Sequence, residues 1–383
     1  MPAPSVFRQA IPFWFRPGNA TRPTIPARAC SGCCASSRSA ISDPAPGNLR
    51  AGKSRKGCEM PDVLCLRPEA DFTRVGVTPP TALDITYMAP DHPQIAQAIR
   101  GAEALVIPAV GPKLQSGLFA ESRVRLVQVT GAGLDRLDLA GMKAQGIAVA
   151  NVPGGSNDAI AEYVAASASA LLRRMTRSTA AILHGDYATW RSRMIADNVA
   201  GLDGLVVGIV GMGVIGTAVA GRLHQLGAQI ACYDPVAVKA ATLAELDAEV
   251  MALDDLVQVA DVLTLHVPLL PATVDLIDAR RLALMKPQAV LIQASRGGIV
   301  NEAALAAALE ADQLGGAAVD VFSTEPPTPD NPLLMLSQVA AQSILLTPHI
   351  AGITRQSWAV LFNAAWRNVA RVLMENQPAE HVV

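Results

Sequence analysis

Short apolar runs alternate with amphipathic stretches along this chain from about residue 60 onward. Three such runs lie at 104–110, 125–133 and 146–153, each separated from the next by a stretch with helical periodicity. Another run follows Met60 in "MPDVLCLRPEA" and predicts a first strand. Because strand–helix–strand units place successive strands parallel in one sheet, the pattern predicts an α/β domain with a parallel sheet.

A long helix and then a second series of the same kind follow. The helix is predicted over 157–175, with Ser156 or Asn157 as its N-cap. Polar residues up to Asp203 separate it from the next strand. A last amphipathic stretch at 355–376 predicts a helix long enough to pack back on the first domain. The apolar runs of the second series lie within 204–216, 229–234, 261–268, 289–295, 316–322 and 344–350.

These two series predict two doubly wound, Rossmann-like α/β domains, each with a parallel sheet. Ligands of this fold class bind in the crevice outside the carboxyl ends of the strands. We therefore expect the functional site where the strand ends of the two domains face each other. The length of 383 residues agrees with two domains, since it is too long for one compact core.

The overall composition is that of a globular protein with much buried sheet. Apolar residues make up 51% of the chain and charged residues only 17%. The net charge is −2, and no stripe of Lys and Arg occurs after residue 60, so neither nucleic acid nor an anionic membrane is expected as a partner. No apolar stretch is long enough to predict a transmembrane helix.

Residues 1–60 differ from the rest of the chain. They hold nine Lys and Arg against two acidic residues, a net charge of +7, which leaves −9 for 61–383. The segment is rich in Pro, Ser and Gly without periodicity and predicts disorder. An Arg-rich, acid-poor segment also fits a transit peptide, but an ordinary protein start at Met60 favours an upstream extension from a misassigned start codon.

The cysteines predict neither a metal site nor a disulfide framework. Cys30, Cys33 and Cys34 cluster in the first segment, but no second ligand pair stands at zinc-finger spacing. Cys65 and Cys232 lie in predicted strands. We therefore expect a reducing compartment, the cytoplasm, and no metal.

A glycine-rich loop stands at the start of the second series. Gly211, Gly213 and Gly216 form G-x-G-x-x-G directly after the strand "LVVGIV" and directly before a helical stretch. Such glycines permit a tight turn and a close approach of the backbone to a pyrophosphate, and the helix N-terminus favours the anion. Strand, loop and helix together predict a dinucleotide site.

The acidic residue that follows this loop bears on the choice of dinucleotide. Asp234 ends a strand eighteen residues after Gly216, near the spacing at which an acid takes the ribose hydroxyls. A carboxylate there would repel a 2′-phosphate, and no Arg follows immediately to bind one. The sequence therefore favours NAD over NADP.

Further polar residues stand at the ends of later strands in the same domain. Arg296 follows "AVLI", Asp320 ends "AAVD" with Glu325 in the loop beyond, and His349 ends "ILLTP". Because carboxyl ends of parallel strands meet at one edge of the sheet, these side chains can converge. Each could instead be a surface or turn residue when taken alone.

An Arg, a Glu and a His supply the groups that reduction of a 2-keto acid needs. An Arg fork such as that of Arg296 binds a carboxylate bidentately and polarises the adjacent carbonyl. An imidazole such as that of His349 can give a proton to the carbonyl oxygen. A carboxylate such as Glu325 orients the imidazole and favours its charged form.

With these residues in view, the chain resembles the D-isomer-specific 2-hydroxyacid dehydrogenases. This family includes phosphoglycerate dehydrogenase, glyoxylate/hydroxypyruvate reductase and D-lactate dehydrogenase. The similarity covers essentially all of 61–383. The motifs that carry it are "TGAGLDRLDL", "GIAVANVPGGSNDAIAEYV", "GMGVIG", "HVPLLPATVDLID", "ASRGGIVNEAAL", "AAVDVFSTEPP" and "TPHIAG", in the family's order.

The resemblance implies an NAD-dependent oxidoreductase that transfers a hydride between nicotinamide and a small D-2-hydroxy acid or 2-keto acid. It implies that Arg296 binds the substrate carboxylate, that His349 is the acid/base and that Glu325 is its partner. Ala132 and Gly133 are expected to offer backbone groups to the substrate.

The resemblance also implies a cofactor site. Asp320 is expected to hold the nicotinamide amide, and Val214 and Ile215 to line the pyrophosphate. The cofactor-binding residues expected in full are Gly211, Gly213, Val214, Ile215, Gly216, Asp234, Val267, Ala294, Ser295, Asp320 and Gly352.

In the family, the substrate domain is built from both ends of the chain. By this resemblance, 61–157 and 349–383 form the substrate domain, and 158–348 form an NAD-binding domain inserted into it. Family members are usually dimers, so a homodimer is expected.

Three features depart from the family pattern. Tyr163 stands where many members have His, and Asn301 replaces a common Asp; both are expected to be structural. The loop at 106–112 lacks the arginine that some members use for an extra substrate anion, which weakens phosphoglycerate as the substrate.

An alternative function is an NAD(H)-sensing corepressor or scaffold of the same fold. The family contains such proteins, and they can keep Arg296, Glu325 and His349. The absence of a basic stripe or an evident docking tail in 61–383 speaks against it.

Overall fold

The computed structural model describes Met60 and residues 62–383. The expectation that 1–60 is a disordered extension falls, apart from Met60, outside the described residues. The strands are β1 (Asp62–Cys65), β2 (Asp84–Tyr87), β3 (Ala104–Ile107), β4 (Leu126–Val129), β5 (Ala148–Ala150), β6 (Val206–Val210), β7 (Gln229–Tyr233), β8 (Glu249–Val250), β9 (Val262–Leu265), β10 (Val290–Gln293), β11 (Gly316–Val319) and β12 (Ile344–Leu346).

Helices connect these strands, in keeping with the parallel crossovers that the alternating pattern predicts. They are α1 (Glu69–Arg74), α2 (Ile95–Gly101), α3 (Leu139–Ala144), α4 (Asn157–Leu172), α5 (Met175–Leu183), α6 (Tyr187–Ala196), α7 (Val214–Gln225), α8 (Ala240–Leu246), α9 (Leu253–Val259), α10 (Ala279–Leu282), α11 (Glu302–Glu310) and α12 (Arg355–Leu373).

The strands form two sheets, and every strand pair in both sheets is parallel. The first sheet has the order β2-β1-β3-β4-β5, and the second has β12-β11-β10-β9-β6-β7-β8. Strands β3, β4, β9, β10 and β11 are buried at every residue, as expected for sheets that helices cover on both faces. The prediction of two parallel-sheet α/β domains is confirmed.

Helices from distant parts of the chain cover the first sheet. α2 and α3 contribute Ile99 and Met142 to the core on one face, and α12 contributes Phe362 and Trp366 to the core on the other. α12 begins with a capping box, in which the Thr354 side chain accepts from the backbone of Ser357 and the Ser357 side chain accepts from the backbone of Thr354. The last helix of the sequence therefore completes the first core.

The second sheet has cores of its own. Helices α9, α10 and α11 pack on one face, and α4, α7 and α8 pack on the other. We propose on this basis that 61–157 with 349–383, and 158–348, are the two domains. The packing of α12 on the first sheet and of α4 on the second supports these bounds.

The structure corrects the sequence prediction between α4 and β6. The predicted polar connection contains two helices, α5 and α6, neither of which buries a residue. Arg174 adopts a left-handed conformation (φ 49°) that separates α4 from α5, so the predicted helix 157–175 ends at Leu172. Ser156 is the N-cap of α4, without a side-chain capping bond. Strands β2 and β8, at the sheet edges, were not predicted.

Among the helices of residues 62–383, none has the length and hydropathy that a bilayer span requires.

The contact between α12 and Phe72 of α1, within the core that covers the first sheet, predicts a stability effect. Phe72 is fully buried, and its ring centroid lies 4.7 Å from that of Phe362 and 5.3 Å from that of Trp366. We expect Phe72→Ala to lower the free energy of unfolding by about 3–5 kcal/mol, because it removes a large side chain and leaves a cavity. Urea denaturation followed by circular dichroism measures the change.

The control is Val360→Ala, at an exposed position of α12, the helix that packs on Phe72. It should change the free energy of unfolding by less than about 0.5 kcal/mol. Equal effects of the two substitutions would contradict the assignment of Phe72 and α12 to one core.

Candidate active site

A cavity of about 740 Å³ lies where the carboxyl ends of the strands of the two sheets face each other. The first sheet contributes residues that follow β1, β3 and β4, and the second contributes residues that follow β9, β10 and β11. The segment between β12 and α12 closes one side. The site residues expected from the sequence that line this cavity are Ala132, Gly133, Ile215, Val267, Ala294, Ser295, Arg296, Asp320, His349 and Gly352.

Six of the expected residues do not line the cavity. Five belong to or support the glycine loop beside it, and one stands behind His349. They are Gly211, Gly213, Val214, Gly216, Asp234 and Glu325.

The glycine loop is shaped by close backbone contacts. Gly211 has φ +96°, and a Cβ atom there would lie 2.9 Å from the backbone of His266. A Cβ atom on Gly216 would lie 1.9 Å from the carbonyl oxygen of Gly211. At Gly213, the N-cap of α7, a Cβ atom would meet no protein atom within 4 Å. The packing of the loop therefore requires glycine at Gly211 and Gly216, whereas Gly213 leaves open space in front of the N-terminus of α7.

Asp234 braces the same loop. Its Oδ2 atom accepts a hydrogen bond from the backbone N–H of Met212 at 2.7 Å, and its Oδ1 atom accepts from Val236 at 2.8 Å. The carboxylate thus lies beside the loop, at the end of β7, as the spacing indicated. It holds negative charge next to the start of α7, where the helix dipole favours it.

His349 and Glu325 form an ion-pair geometry beside the cavity. The Nδ1 atom of His349 lies 2.9 Å from Oε2 of Glu325, whose Oε1 accepts from the backbone N–H of Phe322 at 3.1 Å. Both side chains are 28% exposed. With Nδ1 bonded to the carboxylate, Nε2 is the ring nitrogen left to exchange a proton.

Asp320 fixes the segment that carries His349. Its carboxylate accepts hydrogen bonds from the Thr347 hydroxyl at 2.5 Å and from the backbone N–H groups of Ile350 and Ala351, each at 2.8 Å. The N–H of His349 donates to the Asp320 carbonyl at 2.8 Å. His349 has φ +55°, a costly conformation for a residue other than glycine, so it persists because these bonds determine it.

Tyr163 extends this network. Its hydroxyl lies 2.7 Å from the Thr347 hydroxyl, which in turn donates to Asp320. Burial raises the pKa of Tyr163, so the phenol is neutral at neutral pH. Asn301, the other departure from the family pattern, is the N-cap of α11 and accepts from Ala304 at 2.9 Å. These contacts give both residues structural roles.

Arg296 reaches across the cavity to the first domain. Its Nε donates to Asp135 at 2.8 Å and its Nη1 to the Ser295 carbonyl at 2.7 Å. Its Nη2 lies so near Gly133 that a Cβ atom there would be 2.2 Å away. The guanidinium is therefore placed against the Ala132–Gly133 backbone that the sequence singled out.

A buried amide orders the turn before Arg296. The Gln293 side chain accepts from the Ser295 hydroxyl at 2.7 Å and donates to the Arg296 carbonyl at 2.7 Å. Gln293 is buried at the end of β10. It thereby fixes the backbone from which the guanidinium projects.

His266 also lines the cavity. Its Nε2 lies 3.0 Å from the Thr264 hydroxyl, and its Nδ1 is buried without a hydrogen-bond partner. Burial lowers the pKa of His266 to about 3, so the ring is uncharged at neutral pH. In the part of the chain that the structure describes, no group of three or more His, Cys, Asp or Glu side chains is arranged to hold a metal ion.

Sequence reasoning missed several cavity residues. Arg67 follows β1, Thr130 follows β4, and Trp358 lies on the first turn of α12. The signal available for Arg67 and Thr130 was a polar residue just past an apolar strand, the same signal that found His349. Trp358 carries no such mark, because an aromatic residue in an amphipathic helix is ordinarily part of the core.

Comparison of the sequence with known proteins shows the family to which the chain belongs. Residues 165–351 match the family described as D-isomer specific 2-hydroxyacid dehydrogenase, NAD binding domain. The chain is also 38% identical over 234 residues to an (S)-sulfolactate dehydrogenase of Chromohalobacter salexigens, an alignment that covers 61% of this chain and 72% of the relative. The chain belongs to the D-isomer specific 2-hydroxyacid dehydrogenase family.

Some relatives are longer than this chain. A D-3-phosphoglycerate dehydrogenase of Mycobacterium tuberculosis is 35% identical over 268 residues, which cover 70% of this chain and 48% of that protein. The chain thus spans about half the length of the phosphoglycerate dehydrogenases that it matches.

Solved structures agree with the fold. The TT0316 protein of Thermus thermophilus is 27% identical with a TM-score of 0.69, covering 84% of this chain and 99% of that one. D-2-hydroxyisocaproate dehydrogenase gives a TM-score of 0.71 at 23% identity, covering 85% and 99%. At that identity the second likeness shows the fold alone.

The glycine loop predicts a contrast between two alanine substitutions. Gly216→Ala should lower the free energy of unfolding by roughly 3 kcal/mol, because its Cβ would press on the Gly211 carbonyl and the backbone must shift. Gly213→Ala, with open space around it, should cost no more than about 1 kcal/mol. Thermal unfolding of both variants beside the wild type measures this. Equal loss from both would contradict the packing described for the loop.

Proposed function

We propose that this protein is an NAD-dependent oxidoreductase that interconverts a small D-2-hydroxy acid and the corresponding 2-keto acid. The observation that carries the proposal is the convergence of three groups on one cavity. Arg296 and His349 line it from different strands, and Glu325 holds the ring of His349 at 2.9 Å. The glycine loop lies beside the same cavity, and the family to which the chain belongs is that of the hydroxyacid dehydrogenases.

The glycine loop fits a dinucleotide. The space before Gly213 and the N-terminus of α7 would receive the pyrophosphate. The expected residues Val214, Ile215, Val267, Ala294, Ser295 and Gly352 lie around it or line the adjoining cavity. When bound, the nicotinamide supplies or accepts the hydride. Asp234 favours NAD over NADP, because its carboxylate beside the loop would repel a 2′-phosphate.

Arg296 would hold the carboxylate of the substrate. Its planar fork matches a carboxylate bidentately and places the adjacent carbonyl carbon at a fixed position. The backbone of Ala132 and Gly133, against which the guanidinium lies, would contact the same end of the substrate. Asp135 occupies Nε of Arg296 in the structure, so substrate binding would exchange or share this partner.

His349 would move the proton. As the keto acid is reduced, its carbonyl oxygen takes a proton from Nε2, and in the reverse direction Nε2 takes the proton of the hydroxyl. Glu325 orients the ring and compensates its positive charge. Asp320, fixed by three donors, holds the 347–351 segment in place, and we propose that it also faces the nicotinamide amide.

A cytoplasmic homodimer is the proposed state of the protein. Helices α5 and α6 bury no residue and expose the apolar side chains of Ile182, Leu183 and Ile195, which a second copy could cover. The two cysteines among the described residues, Cys65 and Cys232, are free and buried, as suits a reducing compartment.

The direct test is oxidation of NADH by the purified protein against a panel of keto acids. Glyoxylate, hydroxypyruvate, pyruvate, phenylpyruvate and phosphohydroxypyruvate cover small, apolar and anionic side chains. Turnover of at least one is expected. Tight NADH binding without turnover of any would instead favour the sensor or scaffold alternative.

The matched variant for this test is His349→Ala. Its kcat should fall by about 100-fold to 10,000-fold, because the proton donor is lost, while the Kd for NADH, measured by fluorescence, should remain within about threefold. Equal loss of turnover and NADH binding would mean that His349 is structural.

A second prediction concerns cofactor choice. The wild type should use NADH in preference to NADPH. Asp234→Asn should lower the ratio of kcat/KM with NADH to kcat/KM with NADPH by about tenfold or more, because a negative charge no longer faces the 2′-phosphate. Steady-state kinetics with both cofactors measures the ratio. A wild type that uses NADPH equally well would contradict the assignment of Asp234.

A further inference from the structure

Arg67 is a second arginine that lines the substrate cavity. It follows β1, at the carboxyl end of the first sheet, and its side chain is only 12% exposed. It faces the cavity from the domain opposite Arg296. The proposed reaction, which needs Arg296, His349 and Glu325, gives Arg67 no task.

The protein satisfies only part of the hydrogen-bonding capacity of Arg67. Nη1 donates to the Thr130 hydroxyl at 3.3 Å, and Nη2 lies 3.2 Å from Oδ2 of Asp71. The Nε atom is buried without a partner. A guanidinium has five N–H donors, so three remain, two on the Nη atoms and one on the buried Nε. Burial also lowers the pKa of Arg67, which reflects the loss of water around its charge.

Aromatic rings hold this guanidinium in place. Its central carbon lies 4.9 Å from the ring centroid of Trp358 and 4.8 Å from that of Phe362, both on α12. Stacking of this kind stabilises the cation and restricts its rotamers. A guanidinium that is held rigidly, poorly solvated and left with unused N–H donors is suited to binding an anion.

The alternative is a purely structural role, in which Arg67 only links β1 to α12 by its contacts. Arg125 has such a role: it is exposed, and its Nη2 donates to the Val372 carbonyl and to Asn376 near the end of α12. Arg125 does not line the cavity. The burial of an unpaired Nε beside the cavity is what distinguishes Arg67.

The two cavity arginines flank one short backbone segment. Arg67 bonds the side chain of Thr130, and Arg296 lies against Gly133, three residues later. Three residues of extended chain span at most roughly 10 Å. The two guanidinium groups therefore lie at neighbouring points of the cavity wall, where a molecule with two anionic groups a few bonds apart would present one group to each, with hydrogen bonds of about 2.9 Å.

We propose that Arg67 binds a second anionic group on the substrate, so that the substrate is a 2-hydroxy acid whose side chain ends in a carboxylate, sulfonate or phosphate. The inference rests on the proposed function and deepens it. The loop at 106–112 lacks an arginine for this purpose, and Arg67 supplies the charge from a different strand. Two relatives, the sulfolactate and phosphoglycerate dehydrogenases, carry names of substrates with such a second anion.

The kinetic test compares substrates that differ in the distal group. Pyruvate carries none, whereas sulfopyruvate, oxaloacetate and phosphohydroxypyruvate carry a sulfonate, a carboxylate and a phosphate. The wild type should have a higher kcat/KM for at least one of these three than for pyruvate, and the best of them identifies the anion. Arg67→Gln should lower that value about tenfold to a hundredfold, the usual effect of losing hydrogen bonds to a charged group, and change the value for pyruvate less than threefold.

Two further variants separate recognition from folding. Arg67→Lys keeps a charge without the fork and should recover part of the preference for the anionic substrate. Arg125→Gln removes hydrogen bonds to the end of α12. It should leave unchanged the ratio of kcat/KM for the substrate with a distal anion to kcat/KM for pyruvate. The inference would be overturned by a wild type that favours none of the three substrates with a distal anion over pyruvate. It would also be overturned by an Arg67→Gln variant that loses activity on pyruvate and on the preferred substrate alike.

A binding measurement covers the case in which no keto acid is turned over, which would refute the proposed function alone. Calorimetric titration of the full chain with sulfolactate, malate, 3-phosphoglycerate and lactate, with and without NAD⁺, needs no catalysis. At least one of the three ligands with a second anionic group should bind the wild type about tenfold more tightly than lactate, and Arg67→Gln should abolish the difference. Equal binding of all four ligands by the wild type would overturn the role of Arg67.

Discussion

The buried carboxylate of Asp320 is the contact on which the arrangement of the cavity depends. A carboxylate that is 1% exposed is tolerated only where donors replace its water, and the 347–351 segment provides three of them. That segment carries His349 in a left-handed conformation and then leads into α12. One side chain at the end of β11 thus fixes both the ring that would exchange the proton and the direction in which the chain returns to the first sheet.

Both arginines of the cavity share one electrostatic feature. Each of them already has a carboxylate partner, Asp71 for Arg67 and Asp135 for Arg296. An anion that enters must therefore share each guanidinium with a carboxylate of the protein or displace it, and repulsion from that carboxylate lowers the affinity of the anion. Such exchange favours ligands that engage both arginines at once over a monoanion that engages one.

The sequence predicted the fold class and the catalytic candidates because both follow from position along a strand. A parallel sheet brings all carboxyl strand ends to one edge, so Arg296, Asp320 and His349 converge wherever the strands pair. Helix α6 was missed because its apolar residues follow only a weak helical period. Helix α5 does have an apolar face, but it was interpreted as part of the polar connection that follows α4. Arg67 carries the same signal as His349, a polar residue just past an apolar strand, but its aromatic partners lie on α12, far along the chain, and no local pattern encodes them. Gln293 was missed because it stands inside an apolar strand, where nothing in the sequence marks its bonds to Ser295 and Arg296.

The position of α12 at the end of the sequence has a consequence for biosynthesis. Strands β1 to β5 leave the ribosome about 200 residues before Phe362 and Trp366, the side chains that cover one face of their sheet. At ordinary elongation rates this delay lasts roughly 10–40 s. During that interval the strands of the second sheet are made in turn, β12 last, while only α1 with Phe72 covers this apolar face of the first sheet. Aggregation of the nascent chain is therefore most to be expected at this face.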